Sequence, residues 1–182
     1  MGYALSVARY RQHRVSTPGQ RVELIGRQVQ RSCSGPEVAV LRRIVAQDIL
    51  PSCPEDRDDA CQLRGIFDYV KAQVRYLEDP VNMDWYPTAQ VLLDLGAGDC
   101  DDHTILIDAL AAVIGFEVGC RVIRPRRSGF HVYPLVRYPK GPGNLVIPID
   151  TTWEGAMDID QEFPPALCAY RRDFFFDLRA VR

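Results

Sequence analysis

Apolar residues in the first half of the chain recur at helical spacing, and in the second half they alternate. From Gln20 to Arg31, Val22, Leu24, Ile25 and Val29 fall on one face of a short amphipathic helix. Ser34-Gly35-Pro36 ends it. Pro36 then suits the first position of a second helix carrying Val38, Val40, Leu41, Ile44 and Val45. Past the loop Pro51-Ser52-Cys53-Pro54, the pattern predicts a surface helix over Asp56–Tyr76. Its acids (Asp56, Asp58, Asp59) crowd the N-terminal end, and Leu63, Ile66, Phe67, Val70 and Val74 form its buried stripe. Glu78-Asp79-Pro80 stops it, and residues 77–97 read as irregular. Gly98 to Thr104 leads into the apolar run Ile105–Ile114, a helix buried on nearly all sides. After Gly115 the period becomes two. Strands are predicted at Val118–Ile123, Phe130–Arg137 and Asn144–Asp150, with connections at Pro125–Gly129 and Pro139–Gly143. Pro134 lacks a ladder donor, which predicts an edge position or a bulge. The end of the chain, with Phe163-Pro164-Pro165 and Phe174-Phe175-Phe176, reads as a tail packed over the core.

Helices followed by antiparallel strands give an α+β fold in one domain. No repeat, low-complexity tract or linker divides the 182 residues. The expected organisation is a basic arm over 1–18 and a domain over 19–182. Within the domain, 19–78 are helical, 79–153 form the core with the candidate chemistry, and 154–182 are a packing segment. The net charge of −2 gives no reason to expect nucleic acid, and no apolar run approaches a membrane span. The N-terminus has no basic stretch ahead of an apolar core, so no secretory signal is expected and a cytoplasmic location is. Charge is uneven, however: residues 1–50 hold eight arginines and three acids. Arg9, Arg11, Arg14 and Arg21 follow one another without an acid between them. They predict a solvated arm or helix face, with docking of an acidic protein partner as the alternative.

Candidate chemistry centres on Gly98-Asp99-Cys100-Asp101-Asp102-His103-Thr104. A cysteine at a helix start meets unpaired N–H groups and the positive end of the dipole, both of which stabilise the nucleophilic thiolate. A base is then required, and a group to orient it. His131 opens one predicted strand and shares a face with Tyr133 and Leu135, and Asp150 closes the next strand across a hairpin. His103 reads as surface or helix packing, and His13 lies in the basic arm. The other cysteines lack metal-ligand rhythm, and Cys33, Cys61 and Cys120 read as small core residues. No metal is expected at Asp99, Cys100, Asp101, Asp102 and His103, because consecutive positions at a helix start point in different directions. Asp101 and Asp102 favour the helix yet oppose ionisation of Cys100.

Three blocks in order, Gly98-Asp99-Cys100-Asp101-Asp102, Phe130-His131-Val132-Tyr133 and Ile147-Pro148-Ile149-Asp150-Thr151-Thr152, resemble the transglutaminase-like superfamily. Val74-Arg75-Tyr76-Leu77-Glu78-Asp79-Pro80 resembles the segment ahead of the nucleophile in its bacterial and bacteriophage members. The resemblance spans about residues 60–153 and departs from the family at Thr151, where proline is common. It implies a papain-like α+β fold, with N-terminal helices and a Cys-bearing helix packed on an antiparallel sheet. It further implies Cys100 as nucleophile, His131 as general base and acid, and Asp150 as the residue orienting His131. No cofactor or metal is implied. The expected activity is cysteine-dependent acyl transfer on amide bonds of a protein or peptide substrate, by hydrolysis or transamidation. The Cys100 N–H would serve as one oxyanion donor. Trp85 and Tyr86 are candidates for a second, with packing as their plainer role. The alternative is a structural or assembly protein, virion-associated if phage-encoded, that keeps the fold without the activity.

Overall fold

Helix starts follow local capping chemistry. Thr17 accepts the Gln20 N–H and opens α1 (Pro18–Ser32), where Pro18 occupies a position whose N–H would be unused. α2 (Glu37–Ile44) runs on through one π-helical turn (Val45–Ile49) and a 3₁₀ turn (Leu50–Ser52). Asp58 accepts the Cys61 N–H and opens α3 (Asp59–Gln73). In this computed structural model residues 15, 17–55, 57–80, 84–141 and 143–178 are described. The proposed basic arm therefore falls almost wholly outside the described residues.

α3 is shorter than its apolar stripe predicts. Val74 is extended, and Arg75–Tyr76 form a two-residue strand, β1, parallel to β2 (Ala97–Gly98). Arg75 and Leu77 donate their N–H groups to the Gly96 and Gly98 carbonyls at 3.0 and 2.9 Å. This pairing across twenty residues of sequence holds the end of α3 beside the entry to the Cys100 helix. Between the two strands, where an irregular stretch is expected, α4 (Ala89–Leu95) forms and closes at Gly96, whose φ of +65° suits glycine. Cys61 is not a free core residue: it is disulfide-bonded to Cys53, tying α3 to the loop before it.

α5 (Cys100–Val113) runs through the centre of the molecule. Every residue from Cys100 to Ala111 is buried, because α1, α2, α3 and α4 pack on one side and the sheet on the other. Ile105, Leu106, Ile107 and Leu110 are fully buried. At about 1.5–3 kcal/mol each relative to exposure, they fix the helix and the cysteine at its end. The sheet is antiparallel in the order β5-β4-β3-β6, with β3 Val118–Pro125, β4 His131–Tyr138, β5 Leu145–Pro148 and β6 Cys168–Phe175. The inner face (Val118, Cys120, Val122, Val132, Val136) joins the helical core. Ile123, Tyr133 and Leu135 form a smaller cluster on the outer face with Phe163 and Phe175.

Two expectations are corrected here. The C-terminal segment is not only a packing tail, because β6 pairs with β3 along the strand and lends Asp173 to an ion pair with the buried Arg121. Pro134 is neither at an edge nor in a bulge: β4 is an inner strand, and Pro134 lies opposite Cys120 on β3. Its carbonyl accepts the Ile149 N–H at 3.1 Å, on the β5 side, and the β4–β5 ladder ends one residue earlier at Leu135–Pro148. The missing donor thus falls where β5 leaves the sheet, which lets Asp150 turn toward the beginning of β4. No described helix is long and apolar enough to cross a membrane.

Candidate active site

A capping box fixes the start of α5. Asp99 takes the N-cap position, and its Oδ1 accepts the N–H groups of Asp101 (2.9 Å) and Asp102 (3.4 Å). Asp102 Oδ2 accepts the Asp99 N–H in return, at 3.1 Å. The box satisfies the flanking N–H groups and leaves that of Cys100 at the helix start. Gly98 is required behind it. A Cβ there would lie 2.5 Å from Asp102 Oδ2 and 2.7 Å from Leu92 Cδ1.

Cys100 is 7% exposed. Its sulfur lies 3.9 Å from Asp101 Oδ1, and the Val132 N–H is directed at it from β4. Asp101 Oδ2 is ion-paired with Arg21 of α1, and the buried Tyr86 interacts electrostatically with the same carboxylate. Arg21 also reaches Asp84 Oδ1 at 3.4 Å. This corrects the reading of Arg21 as part of a solvated basic face: its side chain is 15% exposed and pairs with the residue next to Cys100. Tyr86 is buried, in keeping with a packing role.

Electrostatics around the thiol are adverse on balance. Burial pushes the Cys100 thiol well above its ordinary value, and Asp101 and Asp99 add to the rise; the Val132 N–H and Arg21 act against it. Crowding has the same effect on the carboxyls of the box. Burial and then Asp101 raise Asp99 to about 7, and burial with Asp99 raises Asp102 well above the carboxylate range. The box thus holds a proton at acidic pH, which limits the negative charge near the sulfur.

His131 and Asp150 do meet. His131 Nε2 lies 2.7 Å from Asp150 Oδ2, with Asp150 completely buried. The other oxygen of Asp150 accepts the Thr152 N–H (3.0 Å), the Thr152 hydroxyl (2.9 Å) and the Trp153 N–H (3.0 Å). Burial alone would raise this carboxyl, but the His131 hydrogen bond and charge and the Thr152 bonds outweigh it, so Asp150 is held below its ordinary value. His131 is thereby oriented by Nε2, with Nδ1 as the ring nitrogen open to a proton partner. Its ring packs beside Tyr133, centroids 5.6 Å apart, and the Tyr133 hydroxyl is anchored to Glu162 at 3.0 Å.

The third contact is not made in this structure. No hydrogen bond joins Cys100 Sγ to His131; the thiol is directed to Asp101 Oδ1 instead. Alternation along β4 explains this. Val132 packs into the helical core and Tyr133 into the outer cluster, while the His131 ring at the strand start is held between Tyr133 and Asp150. Catalytic hydrogen bonds are commonly looser in the unliganded state.

His103 is packing, as expected, but is not at the surface: it is 2% exposed, and its Nδ1 lies 2.8 Å from Thr151 Oγ1. The expectation that the acids around Cys100 diverge is corrected. Ligand atoms of Asp99, Cys100 and Asp101 lie within 4.8 Å of one another. Asp99 Oδ1 is committed to the helix cap and Asp101 Oδ2 to Arg21, so the convergence has a structural cause. Arg21 is the side chain at the site that local sequence missed, because nothing in a charge pattern indicates a partner eighty residues away.

No protein-family model and no curated protein matches the chain. Among solved structures, it is similar to a protein named as a putative cysteine protease from Cytophaga hutchinsonii. The TM-score is 0.50 and the sequence identity 15%, over 75% of this chain and 43% of that one. The chain spans less than half the length of that relative. The likeness shows a shared α+β fold of helices packed on an antiparallel sheet, an arrangement compatible with a papain-like fold.

Proposed function

We propose that this protein is a cysteine-dependent acyl-transfer enzyme acting on amide bonds of a peptide or protein, with Cys100 as nucleophile, His131 as general base and acid, and Asp150 orienting His131. The single observation that carries the reading is the His131–Asp150 hydrogen bond of 2.7 Å, at the start of the strand on which the Cys100 helix packs. A buried, ionised carboxylate on Nε2 is what an imidazole needs to exchange a proton through Nδ1. The order of the three sequence blocks supports a transglutaminase-like enzyme of the bacterial and phage kind.

In the proposed reaction the thiol proton passes to His131 Nδ1 as the sulfur bonds to the carbonyl carbon. The Cys100 N–H donates to the oxyanion. The C–N bond then breaks, His131 protonates the departing amine, and a thioester remains. Water or an amine attacks that thioester, gives its proton to His131, and returns Cys100 as the thiol.

p-Nitrophenyl acetate tests this directly. A burst of nitrophenolate stoichiometric with the chain is expected, lost in Cys100→Ala and slowed at least about tenfold in His131→Ala. A burst that survives Cys100→Ala, carried by Cys33 or Cys168, would overturn the reading. Adding an amine during turnover separates transamidation from hydrolysis. One observation favours a second reading, a structural protein that keeps the fold. The thiol is buried, and its ionisation is opposed by burial and two carboxylates. On that reading there is no burst.

A further inference from the structure

The triad leaves one element of the nucleophile's surroundings unexplained: the buried ion pair joining α1 to the second residue of α5. Asp101 is 1% exposed, with Oδ1 3.9 Å from the Cys100 sulfur. A carboxylate so placed opposes a thiolate strongly in a water-poor site. Its other oxygen is taken by Arg21 Nη1, and Arg21 Nη2 lies 3.4 Å from Asp84 Oδ1. Asp84 in turn accepts the Val15 N–H through Oδ2 at 3.3 Å, so the segment leading into α1 is fastened to the same cluster.

We infer that Arg21 is a positioning residue of the active site, neutralising Asp101 beside Cys100 and so setting how readily the thiol ionises. The inference rests on the reading of Cys100 as nucleophile. A capping role alone would be met by any acid at the start of α5, exposed and unpaired, since the dipole favours it there. Here the acid is turned inward, against the sulfur, and a guanidinium from a distant helix is buried to meet it. Charged and titratable groups from several elements surround the thiol and its ion pair. Asp99 and Asp101 from α5 and its cap, Tyr76 from β1 and Arg21 from α1 act on the sulfur; Asp79, Asp84 and Tyr86 from the loop before α4 act on the Arg21–Asp101 pair, and His131 on β4 is held by Asp150. Arg21 contributes a fixed positive charge to this acidic set, so the two members of the pair have opposite signed effects on the sulfur.

Iodoacetamide alkylation, followed against pH at the Cys100 peptide by mass spectrometry, tests the inference in the intact chain. Arg21→Gln should move the alkylation midpoint up by about one pH unit, roughly tenfold slower on the rising limb. Asp101→Asn should move it down, and Arg21→Lys, which keeps the charge, should stay within about twofold of the unmodified chain. Arg21→Gln and Asp101→Asn both accelerating alkylation would mean that the pair merely closes the site, and would overturn the inference, as would no shift in either. Should Arg21→Gln fail to fold, Asp101→Asn and Arg21→Lys decide it: an unmoved or raised midpoint in Asp101→Asn is the contrary result. His131→Ala in the same assay separates the two proposals. Loss of reactivity there with no divergence between the Arg21 and Asp101 variants removes the positioning role and leaves the triad. Divergence with no effect of His131→Ala removes the triad and leaves Arg21 as the group that tunes the thiol.

Discussion

Gly98→Ala perturbs the start of the Cys100 helix through one methyl group. The new Cβ would lie 2.5 Å from Asp102 Oδ2, 2.7 Å from Asp102 Cβ and 2.7 Å from Leu92 Cδ1. Asp102 is 4% exposed and holds the Asp99 N–H at 3.1 Å, so it cannot withdraw without breaking the capping box. Losing a cap interaction costs about 1 kcal/mol, and overpacking Leu92 about 1–3 kcal/mol. Alanine gives back about 0.4–1 kcal/mol by restricting the unfolded chain. The net expectation is a loss of about 2–3 kcal/mol. In urea, with a slope of about 1–3 kcal/mol per molar, the midpoint should fall by about 1 M. Gly129→Ala is the control, because a Cβ there meets nothing within 4 Å. Equal midpoints for the two variants would refute the claim that the close approach of Gly98 to Asp102 fixes the start of α5.

Three further outcomes follow from the buried titratable groups. Burial lowers His103 from 6.5 to about 4 against the opposing effects of the Arg75 carbonyl and Asp150, so the folded chain prefers the neutral ring. That contribution is complete above pH 6.5 and lost as pH falls toward 4, by up to about 3 kcal/mol. His103→Gln should flatten the urea midpoint over that window, and an unchanged slope would count against it. Asp108 is fully buried with neither oxygen hydrogen-bonded, and burial raises its carboxyl well above the ordinary value. Its contribution is whole below pH 3.8 and declines as pH rises, so the stability of Asp108→Asn relative to the unmodified chain should grow by up to about 1.4 kcal/mol per pH unit. Parallel pH profiles would refute this. Asp150→Asn should cut acylation by p-nitrophenyl acetate at least about tenfold. Asp150→Ala should in addition lose about 2–3 kcal/mol in urea, as three donors lose their acceptor. Acylation of Asp150→Asn at the unmodified rate would exclude Asp150 as the orienting residue.

Local signals in the sequence carried the elements whose causes are local. The amphipathic helices after Gln20 and Asp56, the all-round apolar run after Cys100 and the three alternating strands are all legible, while their caps at Thr17 and Asp58 emerge from the structure. Elements whose causes are distant are not. Val74 continues the stripe of α3, yet Arg75 and Tyr76 are claimed by Ala97 and Gly98. β6 hides behind Arg171, Arg172 and Asp173, because an edge strand with a salt-bridged face does not alternate cleanly. The general rule for prolines in sheets points to an edge or a bulge at Pro134, and only the register shows that its missing donor coincides with the end of β5. For the site, the same division holds. His131 and Asp150 could be paired from strand order, whereas the Arg21–Asp101 ion pair and the Cys53–Cys61 disulfide report tertiary proximity that no spacing rule encodes.

The central claim is that Cys100 and His131 act together. The most direct measurement is a crystal structure of the chain after reaction with a peptidyl chloromethyl ketone. The account predicts a thioether on the Cys100 sulfur, with His131 Nδ1 within hydrogen-bond reach of it, about 3–4 Å, and Nε2 still held by Asp150. An adduct on Cys33 or Cys168 with Cys100 untouched, or an imidazole turned away from a modified Cys100, would contradict it.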